Sequence, residues 1–192
     1  RVAGTRMRLY LVRHLPPQVA AGVCYGRSDL AVDPRILADA LPALRAQLGG
    51  ELPFFSSPLQ RCRSLANALA SAPASAPADA RQSQVRFDAR LVELDFGDWE
   101  LRSWDDIARA QVDAWAADVA CYRPGGGESV FDMALRIDAF YNALMAEQLP
   151  AAVVVCHAGA IRLLAARIRG LTPMEMAREA AERPHAIGYG EV

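Results

Sequence analysis

The chain has 192 residues and a mass of 20.8 kDa, the size of one domain. Apolar residues supply 53% of it and charged residues 22%, which is ample for a core and excludes disordered and collagen-like classes. A net charge of −1 offers no basic field to nucleic acid or an anionic membrane, and all 21 Lys+Arg positions are arginine, so Schiff-base lysines, GK[ST] phosphate loops and lysine bases are excluded.

Residues 1–7 read as an extension, with Met7 a candidate start, ahead of a single domain over 8–192. Residues 9–12 form a short apolar, β-favouring run that ends on Arg13 and His14. The stretch 15–33 mixes Pro, Gly and Asp without a period and reads as a loop. Pro34 opens a helix carried by Ile36, Leu37, Leu41, Leu44 and Leu48 and closed by Gly49 and Gly50. Residues 53–56 read as a second buried strand, followed by a helix after Pro58 with Leu59, Leu65, Ala66 and Leu69 on its apolar face. The Ala/Ser/Pro-rich stretch 71–84 reads as a surface connection, and 85–87 as a weak third strand. Ser103 is the expected N-cap of a helical segment reaching Ala120.

Two later stretches carry stronger signals. Val130, Met133, Ala134, Ile137, Tyr141 and Leu144 recur with helical period after three glycines. The run AAVVVC at 151–156 is the best strand in the chain, ending on His157 and followed by Ala158, Gly159 and a helix to Arg169. Thr172 and Pro173 start another helix, with Glu175 at the capping-box position. Residues 187–192 read as a last strand, incomplete at Val192. Alternating strands and helices, with continuously apolar strands, predict an α/β fold: three α/β/α layers around a mostly parallel sheet.

Cys24, Cys62, Cys121 and Cys156 lie far apart with no C-x-x-C pair, and three histidines give no zinc spacing. The expectation is reduced thiols, a cytoplasmic protein, no metal and no other cofactor. No apolar stretch has the length of a signal peptide or a membrane span.

The chemistry gathers at strand ends. His14 and His157 each follow a buried strand, at the edge where open α/β sheets bind ligands. Arg13 adds a fixed cation beside the first, and Arg61 lies just inside the helix after the second strand, whose N-terminus favours an anion. Two arginines and two histidines suit a tetrahedral phosphate dianion. In the acidic stretch 93–100, Glu93 sits between Val92 and Leu94 and is expected to be partly desolvated, as a proton donor requires. Asp98 and Glu100 read as solvated turn residues. Tyr25, Trp99, Trp104 and Tyr122 could stack on an aromatic base, although aromatics more often pack. The pocket's outer wall is expected from residues 19–25, the loop near Trp99 and Trp104, and residues 122–129.

The pieces LYLVRH (9–14), YGRSDL (25–30), SSPLQRCRSLA (56–66), ELDFGDWE (93–100), PGGGES (124–129) and VVVCHAG (153–159) resemble the histidine phosphatase superfamily, the phosphoglycerate mutase-like proteins. They run in that family's order over about residues 8–170, and the short length and VCYGRSDL are most similar to its α-ribazole phosphatase-like branch. The resemblance implies a metal-independent phosphomonoesterase with His14 as phosphate-accepting nucleophile, Glu93 as proton donor, and Arg13, Arg61 and His157 as the rest of the phosphate pocket. It also implies a small phosphorylated substrate, with α-ribazole 5′-phosphate of cobalamin assembly the branch's example. Two departures stand out. The family's RHG-E-T-x-x-N continues here as His14 to Ala20 (HLPPQVA), with Gln18 the candidate replacement for the lost Asn, and Leu101 follows Glu100 where a Gly is common. Alternatives are mutase-type phosphoryl transfer, for which the chain has little room, and a non-catalytic phospho-ligand binder. Nothing in the sequence decides against a homo-oligomer.

Overall fold

The computed structural model describes residues 7–49, 51–71, 84–182 and 187–192. Within them the chain forms β1 (Arg8–Arg13), α1 (Pro34–Gln47), β2 (Phe54–Ser56), α2 (Gln60–Ala70), β3 (Val85–Phe87), α3 (Arg109–Ala117), α4 (Val130–Ala146), β4 (Ala151–Cys156), α5 (Ala158–Ile168) and α6 (Pro173–Glu182). The expected extension before Met7, Gly50, and most of the connection at 71–84 lie outside the described residues.

The strands order as β1-β4-β2-β3, every pair parallel. Parallel strands need crossovers, made here by helices on the faces, and interior strands must be apolar on both sides. β4 shows this best. Val153 and Val155 pack with Tyr10, Val12 and Phe54 under α1 and α2, through Leu44, Leu65 and Leu69. Ala152, Val154 and Cys156 face the opposite core with Leu9, Leu11 and Phe55, under Met133, Ile137 and Phe140 of α4, Ile161 and Leu164 of α5, and Met176 of α6. The α/β/α layering is therefore the alternation of one buried strand read on its two faces.

Two elements differ from expectation. Residues 103–120 do not make one helix: Ser103 caps only a 3-10 turn over Trp104–Asp106, and α3 starts at Arg109. Between them Ile107 is extended and buried against Cys24 and Trp99, which pulls the chain out of helical register. Residues 187–192 form a turn rather than a strand. Gly190, at φ +69°, turns the chain, so among the described residues backbone pairing with β1 is limited to Arg13 N–H donating to Glu191 O (3.0 Å) and Gly190 N–H to Arg13 O (3.1 Å). The expected Glu175 cap forms, its carboxylate accepting the Thr172 N–H at 2.8 Å.

Candidate active site

Because β1 and β4 are adjacent and parallel, with Arg13 opposite Cys156, the next residue of each strand leaves the sheet beside the other. His14 N–H donates to Cys156 O (3.0 Å), and the His14 and His157 rings lie 5.0 Å apart, centroid to centroid. The chain then passes to α1 on one face and α5 on the other, so a crevice opens between the two strand ends.

His14 is 3% exposed. Its Nδ1 lies 2.7 Å from Leu15 O; a carbonyl only accepts, so Nδ1 carries the proton and Nε2 keeps its lone pair. Burial, aided by Arg61 and Arg13 and opposed by the Leu15 bond, holds the ring's pKa down at about 3. Burial outranks the two arginines as the cause of that shift. His157 is fully buried behind His14, outside the cavity surface, with Nε2 2.9 Å from Ser57 Oγ. Burial first, then Arg61 and His14, keeps it well below the usual imidazole range.

Arg61 is fully buried in the first turn of α2. It donates to Ser28 O (2.6 Å) and Gly26 O (2.5 Å). Arg13 donates to Ile187 O (2.6 Å), and its guanidinium carbon lies 3.9 Å from the Tyr189 ring centroid. Tyr189 in turn shares a 2.7 Å hydroxyl bond with Tyr25. Among the described residues neither arginine forms an ion pair with a carboxylate. Guanidinium charge at a buried edge with only neutral acceptors attracts an anion. The α2 N-terminus itself is not open to one, since Asp29 already accepts the Gln60 N–H at 2.6 Å.

Glu93 enters from the loop after β3. Its carboxylate accepts Gly159 N–H (3.0 Å) and Leu94 N–H (3.1 Å). A Cβ on Gly159 would stand 2.3 Å from Glu93 Oε1, so only glycine admits the carboxylate there. Arg136 of α4 fixes this loop, donating to Arg90 O and Val92 O (both 2.7 Å) while paired with Glu128 (2.7 Å).

Arg13, His14, Arg61 and Glu93 share one cavity of about 320 Å³. A profile of the histidine phosphatase superfamily (branch 1) matches residues 9–187. The chain belongs to that family. It is 29% identical over 170 residues to the adenosylcobalamin/alpha-ribazole phosphatase of Escherichia coli K12, covering 86% of this chain and 80% of that one. The alpha-ribazole phosphatase structure from Shigella flexneri superposes with a TM-score of 0.74 at 28% identity, over 90% of this chain and 84% of that one. A mycobacterial glucosyl-3-phosphoglycerate phosphatase superposes at 0.72 and 27% identity with the same coverages. The protein is thus a histidine phosphatase, of a family that acts on small phosphorylated substrates. No helix among its described residues is long and apolar enough to cross a membrane.

The rest of the phosphatase's cavity wall departs from expectation. Besides Tyr25, it comes from Phe96, Trp115, Val130, Met133 and Leu163, with Arg162 of α5 beside them. Trp99 is 1% exposed and packs with Cys24 and Ile107, and Trp104 and Tyr122 pack against that cluster. Gln18 is exposed and outside the cavity lining. Asp98 is exposed as expected, but Glu100 is not a solvated turn residue: it is half-buried and accepts four backbone N–H groups and one hydroxyl. Leu101 occupies the left-handed region at φ 64°, the conformation that makes glycine the common residue there. Sequence reasoning missed Ser57, Arg136 and Tyr189. Only Ser57 had a signal, because it too directly follows a buried strand.

Proposed function

We propose that this histidine phosphatase hydrolyses phosphomonoesters through a phosphohistidine on His14, and that the alcohol its substrate releases carries an aromatic base. His14 Nε2 attacks phosphorus in line, its Nδ1–H anchored on Leu15 O, and the P–O bond to the alcohol breaks. Arg13 and Arg61 neutralise the phosphoryl oxygens, and His157 reaches one of them by exchanging its Ser57 bond. Glu93 delivers a proton to the departing oxygen, then takes one from the water that attacks the phosphohistidine, releasing phosphate and neutral His14. The observation that carries this reading is a buried His14, its Nδ1 tied to Leu15 O, sharing a cavity with two guanidiniums that no carboxylate among the described residues pairs.

The relatives' names offer two leaving groups, and the cavity favours one. A wall of Phe96, Trp115, Val130, Met133 and Leu163 suits a flat aromatic base better than a sugar linked to an acid. α-Ribazole 5′-phosphate is therefore the substrate we assign, and four free thiols support a reducing, cytoplasmic setting. Comparing kcat/KM for α-ribazole 5′-phosphate and glucosyl-3-phosphoglycerate tests the assignment. The expected ratio favours the former at least tenfold; a preference for the sugar acid would overturn it.

A further inference from the structure

Arg61 is held by a loop that is itself held by one carboxylate remote in sequence. Glu100 Oε2 accepts N–H groups of Gly26 (3.1 Å) and Ser28 (3.1 Å) and the Ser28 hydroxyl (2.5 Å). Its Oε1 accepts Arg27 N–H (2.9 Å) and Phe96 N–H (3.0 Å). The same residues then turn their carbonyls toward α2: Gly26 O and Ser28 O take the two terminal nitrogens of Arg61. Gly26 is pressed so close to the 94–96 loop that a Cβ would stand 1.9 Å from Leu94 O. Gly26 O shares its peptide plane with the Arg27 N–H that Glu100 holds, and Ser28 is held at its own N–H and hydroxyl, so both carbonyls have little freedom and the guanidinium orientation follows from theirs.

We propose that Glu100 is a positioning residue for phosphate binding: through the 26–28 backbone it aims the Arg61 guanidinium at the phosphoryl group. Carboxylate chemistry is needed because both oxygens face only donors. A glutamine would turn an NH2 toward N–H groups, so even this near-isosteric change breaks one side of the clamp. The inference rests on Arg61 being a phosphate ligand, as read above.

The test is a double-mutant cycle on Glu100→Gln and Arg61→Gln, read by competitive inhibition with inorganic phosphate and by thermal unfolding. Arg61→Gln alone should weaken phosphate inhibition; if it does not, the phosphate-site reading itself fails. Given that loss, Glu100→Gln alone should weaken inhibition about tenfold, with KM rising in step, yet cost little further in the Arg61→Gln background. A merely structural Glu100 would lower the melting temperature equally in both backgrounds and leave phosphate inhibition alone. Unchanged inhibition in folded Glu100→Gln, or an equal loss in both backgrounds, would overturn the proposal. Should that variant not fold, Ser28→Ala, which removes only the hydroxyl donor, is expected to show a smaller loss that again vanishes without Arg61.

Discussion

One wall of the cavity is made of buried charge and neutral imidazole, the other of aromatic and aliphatic side chains, and the two are supported differently. Arg61, Glu93 and His14 are each fixed by backbone groups: carbonyls of residues 26 and 28, the amides of Leu94 and Gly159, and the Leu15 carbonyl. Trp115 and Phe96 are fixed by other rings, at centroid distances near 6.0 Å. Backbone hydrogen bonds define direction, which transfer of a phosphoryl group requires. Ring packing defines only shape, which recognition of an alcohol requires and which tolerates variation. The difference predicts that substitutions on the first wall remove turnover for every ester, whereas those on the second change only which ester is preferred.

The largest expected effect is at His14. Replacing it with Ala should lower phosphate release by about 10⁴-fold or more for any ester, measured by steady-state phosphate production. Next comes Glu93→Gln, with an expected loss of about 10²- to 10⁴-fold. That loss should be greater for an alkyl phosphate than for p-nitrophenyl phosphate, whose leaving group needs less protonation. On the second wall, Trp115→Ala should raise KM for α-ribazole 5′-phosphate about tenfold, the order expected for losing one aromatic stacking surface. The same change should move KM for the small p-nitrophenyl ester far less.

The remaining effect is on stability. Because the folded chain keeps His14 near pKa 3 while the unfolded chain titrates near 6.5, the unfolded state binds the extra proton between those values. Stability is then complete above about pH 6.5 and falls as pH drops toward 3, by at most about 1.4 kcal/mol per unit for this group. His157 adds in the same direction. Urea titrations between pH 4.5 and 6.5 should show a shallower pH slope in His14→Ala than in the parent. Substitutions of Trp115 should leave that slope alone.

The sheet was legible in the sequence because its interior strands are apolar on both faces, so AAVVVC and LYLV stand out without any period. Arg13, His14 and His157 were legible as site candidates because chain order puts them where those strands end. What supports them was not. Glu100 acts on amides some seventy positions earlier in the chain, and amides carry no residue identity. Arg136 sits on a helix whose visible pattern is its apolar face, yet its guanidinium closes over three carbonyls of the Glu93 loop. Ile107 reads as part of a helix until the Trp99 cluster draws it in. Residues 187–192 alternate like a strand, but Gly190 turns them, which leaves Tyr189 over Arg13 and 5.5 Å from the His14 ring centroid.

The central claim is a covalent one and is tested most directly by trapping the intermediate. Protein mixed with a labelled phosphomonoester and quenched in alkali, where phosphohistidine survives, should carry one acid-labile phosphoryl group, located by peptide mass spectrometry on His14. Turnover that proceeds without such a label, or a label on any other residue, would contradict the account.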